Sequence, residues 1–117
     1  MTVSIEEMAA RWRRARAECR SRAEARAQTL REHLPAAKQL LLERYGARRV
    51  VLFGSLARGG TTERSDVDLA VEGLDPRGYF AAIADLTGLF EAPVDLVEIE
   101  RASASMLERL NLEGVDL

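Results

Sequence analysis

The chain carries one cysteine, Cys19, one histidine, His33, and one lysine, Lys38, among 117 residues. A single thiol forms no disulfide within the chain and assembles no cysteine-based metal site, which fits a reducing, cytoplasmic setting. Long apolar runs are also missing. Nothing approaches the ~20 residues needed to span a bilayer, and the N-terminus lacks the apolar core of a secretory signal. Its Arg- and Ala-rich start has the look of an organellar transit peptide, but Glu6, Glu7, Glu18 and Glu24 argue against one. Aromatic residues are scarce, and Tyr45, Tyr79 and Phe80 are too scattered to make a stacking platform, so no direct nucleic-acid contact is expected. The formal charge is only -2, yet it is unevenly spread: residues 1–33 hold eight Arg against five Glu, and the remainder is acidic.

What is present reads as one compact unit with an arm. Ser4 and Glu7 have the spacing of a capping box, and from there to about His33 there is neither Gly nor Pro, which predicts one long helix. Its apolar positions, from Ile5, Met8 and Trp12 to Ala27, Leu30 and Leu34, form a narrow stripe of mostly small side chains. Such a stripe suits packing against the body, a second copy of the chain or a partner, so a homo-oligomer through this helix stays open. Trp12 and Cys19 are read as packing residues, and His33 is given no catalytic role. Pro35 breaks the helix, and a second one is expected from Ala36 to Tyr45, closed by Gly46.

Two strand-like runs follow, "RRVVLF" at 48–53 and "DVDLAVEG" at 66–73, the second with one apolar and one acidic face. After Pro76 an amphipathic helix reaches toward Pro93, "VDLVEI" at 94–99 repeats the acidic alternation, and a last helix from Ala102 to about Leu112 ends at Gly114. The expected fold class is α+β (α/β): a small mixed β-sheet flanked by helices. Residues 1–33 form a helical extension and 34–117 the domain proper.

The chemistry concentrates around "LFGSLARGGTTERSDVDLAVEG", residues 52–73. On a strand, residues two apart share a face, so Asp66 and Asp68 present two carboxylates side by side. Paired carboxylates call for a cation, and Mg²⁺ prefers oxygen ligands completed by phosphate oxygens. Asp95, in the same phase of a neighbouring strand, supplies a third acid, and three acids can hold two metal ions. Gly54 and Ser55 end the preceding strand where glycine lets backbone N–H groups approach an anion. This is not a P-loop, because the lysine of that motif is missing after the glycines.

Gly54-Ser55, the ten-residue spacer, Asp66-x-Asp68 and Asp95 in "VDLVE" together resemble the minimal nucleotidyltransferase (MNT) group of the DNA polymerase β-type nucleotidyltransferase superfamily, over about residues 36–117. The resemblance implies a nucleotidyltransferase fold, ATP as donor, a two-metal Mg²⁺ site on Asp66, Asp68 and Asp95, and triphosphate contacts from Gly54 and Ser55. Arg58 is expected near the phosphates or paired with an acid of the site. Ser65 is grouped with the nucleotide-contacting residues, although shaping the loop before the strand accounts for it as well. Small members of this family often act beside a HEPN-domain toxin as its antitoxin, moving AMP from ATP onto it. Two other readings stand beside that one: a non-catalytic antitoxin that neutralises a HEPN ribonuclease by occlusion, and an antibiotic-type transferase, disfavoured because no second domain is seen to hold a drug.

Overall fold

The computed structural model describes residues 2–117, as five α-helices and a four-stranded sheet. Helix α1, Ile5–Glu32, starts where the capping box places it, with Ser4 Oγ accepting the Glu7 N–H at 3.1 Å. Helix α2, Leu34–Gln39, begins two residues earlier than expected because Pro35, which has no N–H to satisfy, sits comfortably in its first turn. Its continuation, Leu40–Arg44, widens into a π-type turn that the sequence pattern did not reveal.

Strand β1, Arg49–Phe53, lies antiparallel to β2, Val67–Glu72, and β2 lies parallel to β3, Val94–Glu98. The parallel pair is joined through helix α4, Tyr79–Phe90, the crossover such a pair requires. Helix α5, Ala104–Glu113, starts at Ser103, whose Oγ accepts the Met106 N–H at 3.1 Å, two residues later than the sequence suggested. The chain then adds β4, Val115–Asp116, antiparallel to β1. Two residues are too few to show a period, so this strand was not foreseen.

Alternation along the strands sorts the core into two layers. Val50, Leu52, Val67, Leu69, Val71 and Leu96 face α4, α2 and the end of α1, while Val51, Phe53 and Ala70 face Leu110 and Met106 of α5. The acids at alternate positions of β2 and β3 therefore fall on the α5 side. Tyr79 Oη donates to the Leu96 carbonyl at 2.6 Å and locks the start of α4 to β3.

Helix α1 divides into two halves. Ala27 and Leu30 are buried, whereas Ile5, Met8 and Trp12 are 86%, 59% and 64% exposed. The molecule is accordingly 63 Å long but only 29 Å and 20 Å in its other dimensions. The second half is tied to the body by Arg31, donating to the Leu56 carbonyl at 3.0 Å, by Arg26, donating to the Ser65 carbonyl at 3.1 and 3.3 Å, and by an Arg22–Glu63 ion pair at 2.6 Å. The part of α1 that stands clear of the body is thus its N-terminal half. Among the described residues no helix is long and apolar enough to cross a membrane.

This division is testable by denaturant unfolding. Leu30→Ala should cost about 2–5 kcal/mol, the range for emptying a fully buried leucine site. Trp12→Ala, on the exposed half, should stay within about 0.5 kcal/mol of the parent.

Candidate active site

The site is set by where β1 stops. Phe53 is registered opposite Asp68, and the next residue, Gly54, takes φ 76°, a left-handed conformation that glycine adopts without strain. A Cβ at Gly54 would run into the Asp68 carboxylate, so this close approach and the backbone twist both require glycine. The sequence marks only the end of the strand here. In the structure Gly54–Arg58 forms a single helical turn, α3, closed by Gly59 at φ 83°, with the Gly59 and Gly60 N–H groups both on the Ser55 carbonyl at 3.0 Å.

The three aspartates lie on β2, just before it, and on its parallel neighbour β3. Asp68 is registered beside Asp95 of β3, and Asp66 lies just before β2 begins. Burial first, then the neighbouring Asp95 charge, push the half-buried Asp68 carboxyl above the usual carboxylate range, Asp66 adding to the effect. Arg109 and Arg58 pull the other way without cancelling it. Asp66 and Asp95 are exposed.

Two residues that no motif flagged complete the cluster. Glu113, at the end of α5, accepts from Arg58 at 2.8 Å, from Arg109 Nε at 2.7 Å and from the Gly54 N–H at 3.2 Å. The Arg58 hydrogen bond is the largest influence holding the Glu113 carboxyl below its ordinary range. Arg109 also lies 5.2 Å over the Phe53 ring. In the sequence, Arg109 and Glu113 look like an ordinary i,i+4 surface pair, and only the docking of α5 across the sheet brings them to Gly54.

Ser65 has another task. Its Oγ accepts the Thr62 N–H at 2.7 Å, and its carbonyl takes Arg26, so it shapes the 59–66 loop and anchors that loop to α1. This is the loop-shaping role foreseen beside the nucleotide contact.

Among the described residues no three His, Cys, Asp or Glu side chains form a ready ligand cage. The donor chemistry nevertheless fits a hard cation. Only carboxylate oxygens are offered, and the acid at the centre is destabilised as an anion by burial and by its acidic neighbours, a cost that a divalent ion relieves. Beside this acidic set stand two guanidinium groups and the Gly54 N–H, donors of the kind that bind phosphate oxygens.

Comparison with known proteins leads to the same place. The family described as polymerase β, nucleotidyltransferase, matches residues 37–117. A Methanocaldococcus jannaschii protein provisionally named a protein adenylyltransferase is 39% identical over 71 residues, covering 58% of this chain and 68% of its own length. A second of the same name and organism is 34% identical over 71 residues, covering 58% and 72%. Among solved structures, one described provisionally as a minimal nucleotidyltransferase superposes with a TM-score of 0.68 at 34% identity, covering 78% of this chain and 95% of that one. A toxin–antitoxin complex crystallised with AMP-PNP contains a chain that superposes with a TM-score of 0.62 at 26% identity, covering 69% of each.

Two substitutions test the geometry. Gly54→Ala should cost about 1–3 kcal/mol, because a side chain is forced into the left-handed region and against Asp68. Asp68→Asn should act in the opposite direction. Since the folded carboxyl titrates above the unfolded one, the stability it contributes is present in acid below the unfolded pKa and lost as pH rises through the folded value. The asparagine variant should therefore melt higher than the parent at neutral pH, and the gap should close by about pH 3 in thermal scans run across pH.

Proposed function

The chain belongs to the polymerase β nucleotidyltransferase family, and from that premise we propose that it transfers AMP from ATP to a partner protein, acting as the antitoxin of a HEPN-type ribonuclease. The observation that carries the reading is the half-buried Asp68 carboxylate, packed on Gly54 and registered beside Asp95. It favours catalysis over simple occlusion, because a binding module has no need of a carboxylate kept in so unfavourable a setting.

In this reading Asp66, Asp68 and Asp95 hold Mg²⁺, two ions where all three acids take part, and Gly54, Ser55 and Arg58 contact the triphosphate. Bound Mg²⁺ supplies charge neutralisation along the phosphates and eases ionisation of the attacking group. An acceptor hydroxyl oxygen forms a bond to the α-phosphorus, the bond from that phosphorus to the α–β bridging oxygen breaks, and pyrophosphate departs. Asp95, exposed on an edge strand, takes the hydroxyl proton. Arg58 and the Gly54 N–H balance the charge gathering on the leaving oxygens.

A protein acceptor is supported by the names of the archaeal relatives, and a toxin partner by the toxin–antitoxin complex with AMP-PNP.

The test pairs the protein with the product of its adjacent reading frame, ATP and Mg²⁺, and follows added AMP by intact-mass spectrometry. Wild type should modify the partner, and the Asp66→Asn, Asp68→Asn double variant should be slower by at least about a hundredfold, the scale of losing a principal electrostatic element of a site. If wild type adds no AMP yet neutralises the partner as well as the double variant does, the protein acts by occlusion and the transferase reading fails.

A further inference from the structure

The Glu113 cluster has the composition of an anion site already filled by an anion. Its donors are Arg58 at 2.8 Å, Arg109 Nε at 2.7 Å and the Gly54 N–H at 3.2 Å, all converging on one carboxylate. Two guanidinium groups and a backbone N–H thus share the one Glu113 carboxylate. The Glu113 side chain is only 17% exposed, while those of Arg58 and Arg109 are 50% and 45% exposed, so the arginines stay reachable from solvent while the acid sits between them. Gly54, whose N–H donates to Glu113, is also the residue against which the Asp68 carboxylate lies, which sets the cluster beside the acidic set and not elsewhere on the surface.

Carboxylate and phosphate oxygens compete for the same donors, and guanidinium forks bind either. We infer that Glu113 is an internal stand-in for the donor's phosphate: when the nucleotide binds, its phosphate oxygens displace the Glu113 carboxylate from Gly54, Arg58 and Arg109, and Arg109 becomes a phosphate-binding residue. This rests on the reading of the site as a nucleotide-donor site. Glu113 is the last residue of α5 and is followed by Gly114, whose N–H is held by the Leu110 carbonyl at 2.8 Å. The backbone is thus fixed, and the exchange requires only that the side chain swing out. Because the acid must first be displaced, the apparent affinity for the donor is lower than the bare site would give.

A merely supporting role for Glu113, orienting the two arginines, predicts the opposite sign, which makes the experiment decisive. Binding of Mg²⁺–ATP and of Mg²⁺ with inorganic triphosphate is measured by calorimetry on the full chain, with melting curves to verify folding. Glu113→Gln and Glu113→Ala should each bind both probes at least about threefold more tightly, the tax of the competing state having been removed. Arg109→Ala should bind them more weakly by a similar factor. Glu108→Gln removes the same charge from the same helix outside the cluster and should leave affinity nearly unchanged. Equal or weaker binding by the Glu113 variants, unchanged binding by Arg109→Ala, or equal tightening by Glu108→Gln overturns the inference while the donor site stands. If neither wild type nor the Glu113 variants bind either probe, the donor-site reading itself fails and the inference falls with it.

Discussion

The structure turns on one contact, the Asp68 carboxylate lying against the Cα of Gly54. Three conditions meet there. The β1–β2 register must put Phe53 opposite Asp68, residue 54 must lack a Cβ, and a carboxylate must tolerate partial burial. The first condition is enforced from the far side of the sheet. Val67, Leu69 and Val71 are fully buried, so a slip of one residue would carry the acids into the apolar layer and the valines and leucine out of it. The unfavourable placement of the carboxylate is therefore held by ordinary hydrophobic alternation, and the core layer that enforces it takes no part in the chemistry.

A second layer of control comes from α1. Ala27 and Leu30 provide the apolar contact, and Arg31 and Arg26 end on the carbonyls of Leu56 and Ser65, one residue inside α3 and one residue ahead of Asp66. Exposed ion pairs such as Arg22–Glu63 contribute little stability individually. Their value here is positional. The 59–66 stretch contains two glycines and no strand or helix, and the helix splints both of its ends. The long N-terminal helix is thus part of what holds the Gly-Ser turn and the first aspartate in place, although the minimal family pattern does not include it.

What could be read from the sequence was whatever local periodicity encodes. The spacing of two between Asp66 and Asp68 and the apolar alternation around them specify a strand and its faces. The strand-helix-strand order then specifies a parallel neighbour, which brings Asp95 alongside Asp68. Glu113 and Arg109 were not legible, because their role depends on the angle at which α5 crosses the sheet. The same limit applies to α1: Ile5–Met8–Trp12 and Ala27–Leu30 have similar spacing, and only the tertiary arrangement decides that the second group is covered and the first is not. The brief elements, α3, β4 and the π-type turn, escaped because each is too short for its period to repeat.

The arrangement also gives the proposed reaction a direction. The anion-binding groups, Gly54, Arg58 and Arg109, gather where β1 ends and α5 terminates, on the β1 side of Asp68. Asp95 lies on the other side, on β3, which is an edge strand with no neighbour beyond it among the described residues. An in-line displacement needs the leaving and attacking oxygens on opposite sides of the phosphorus. With the polyphosphate drawn toward the arginines, the leaving group points to α5 and the attacking oxygen must arrive from the β3 edge. That edge is open and acidic, and nothing among the described residues encloses it. A transferase built this way fixes its donor by itself and leaves the acceptor to be presented by another molecule, which is the division of labour that modification of a partner protein requires.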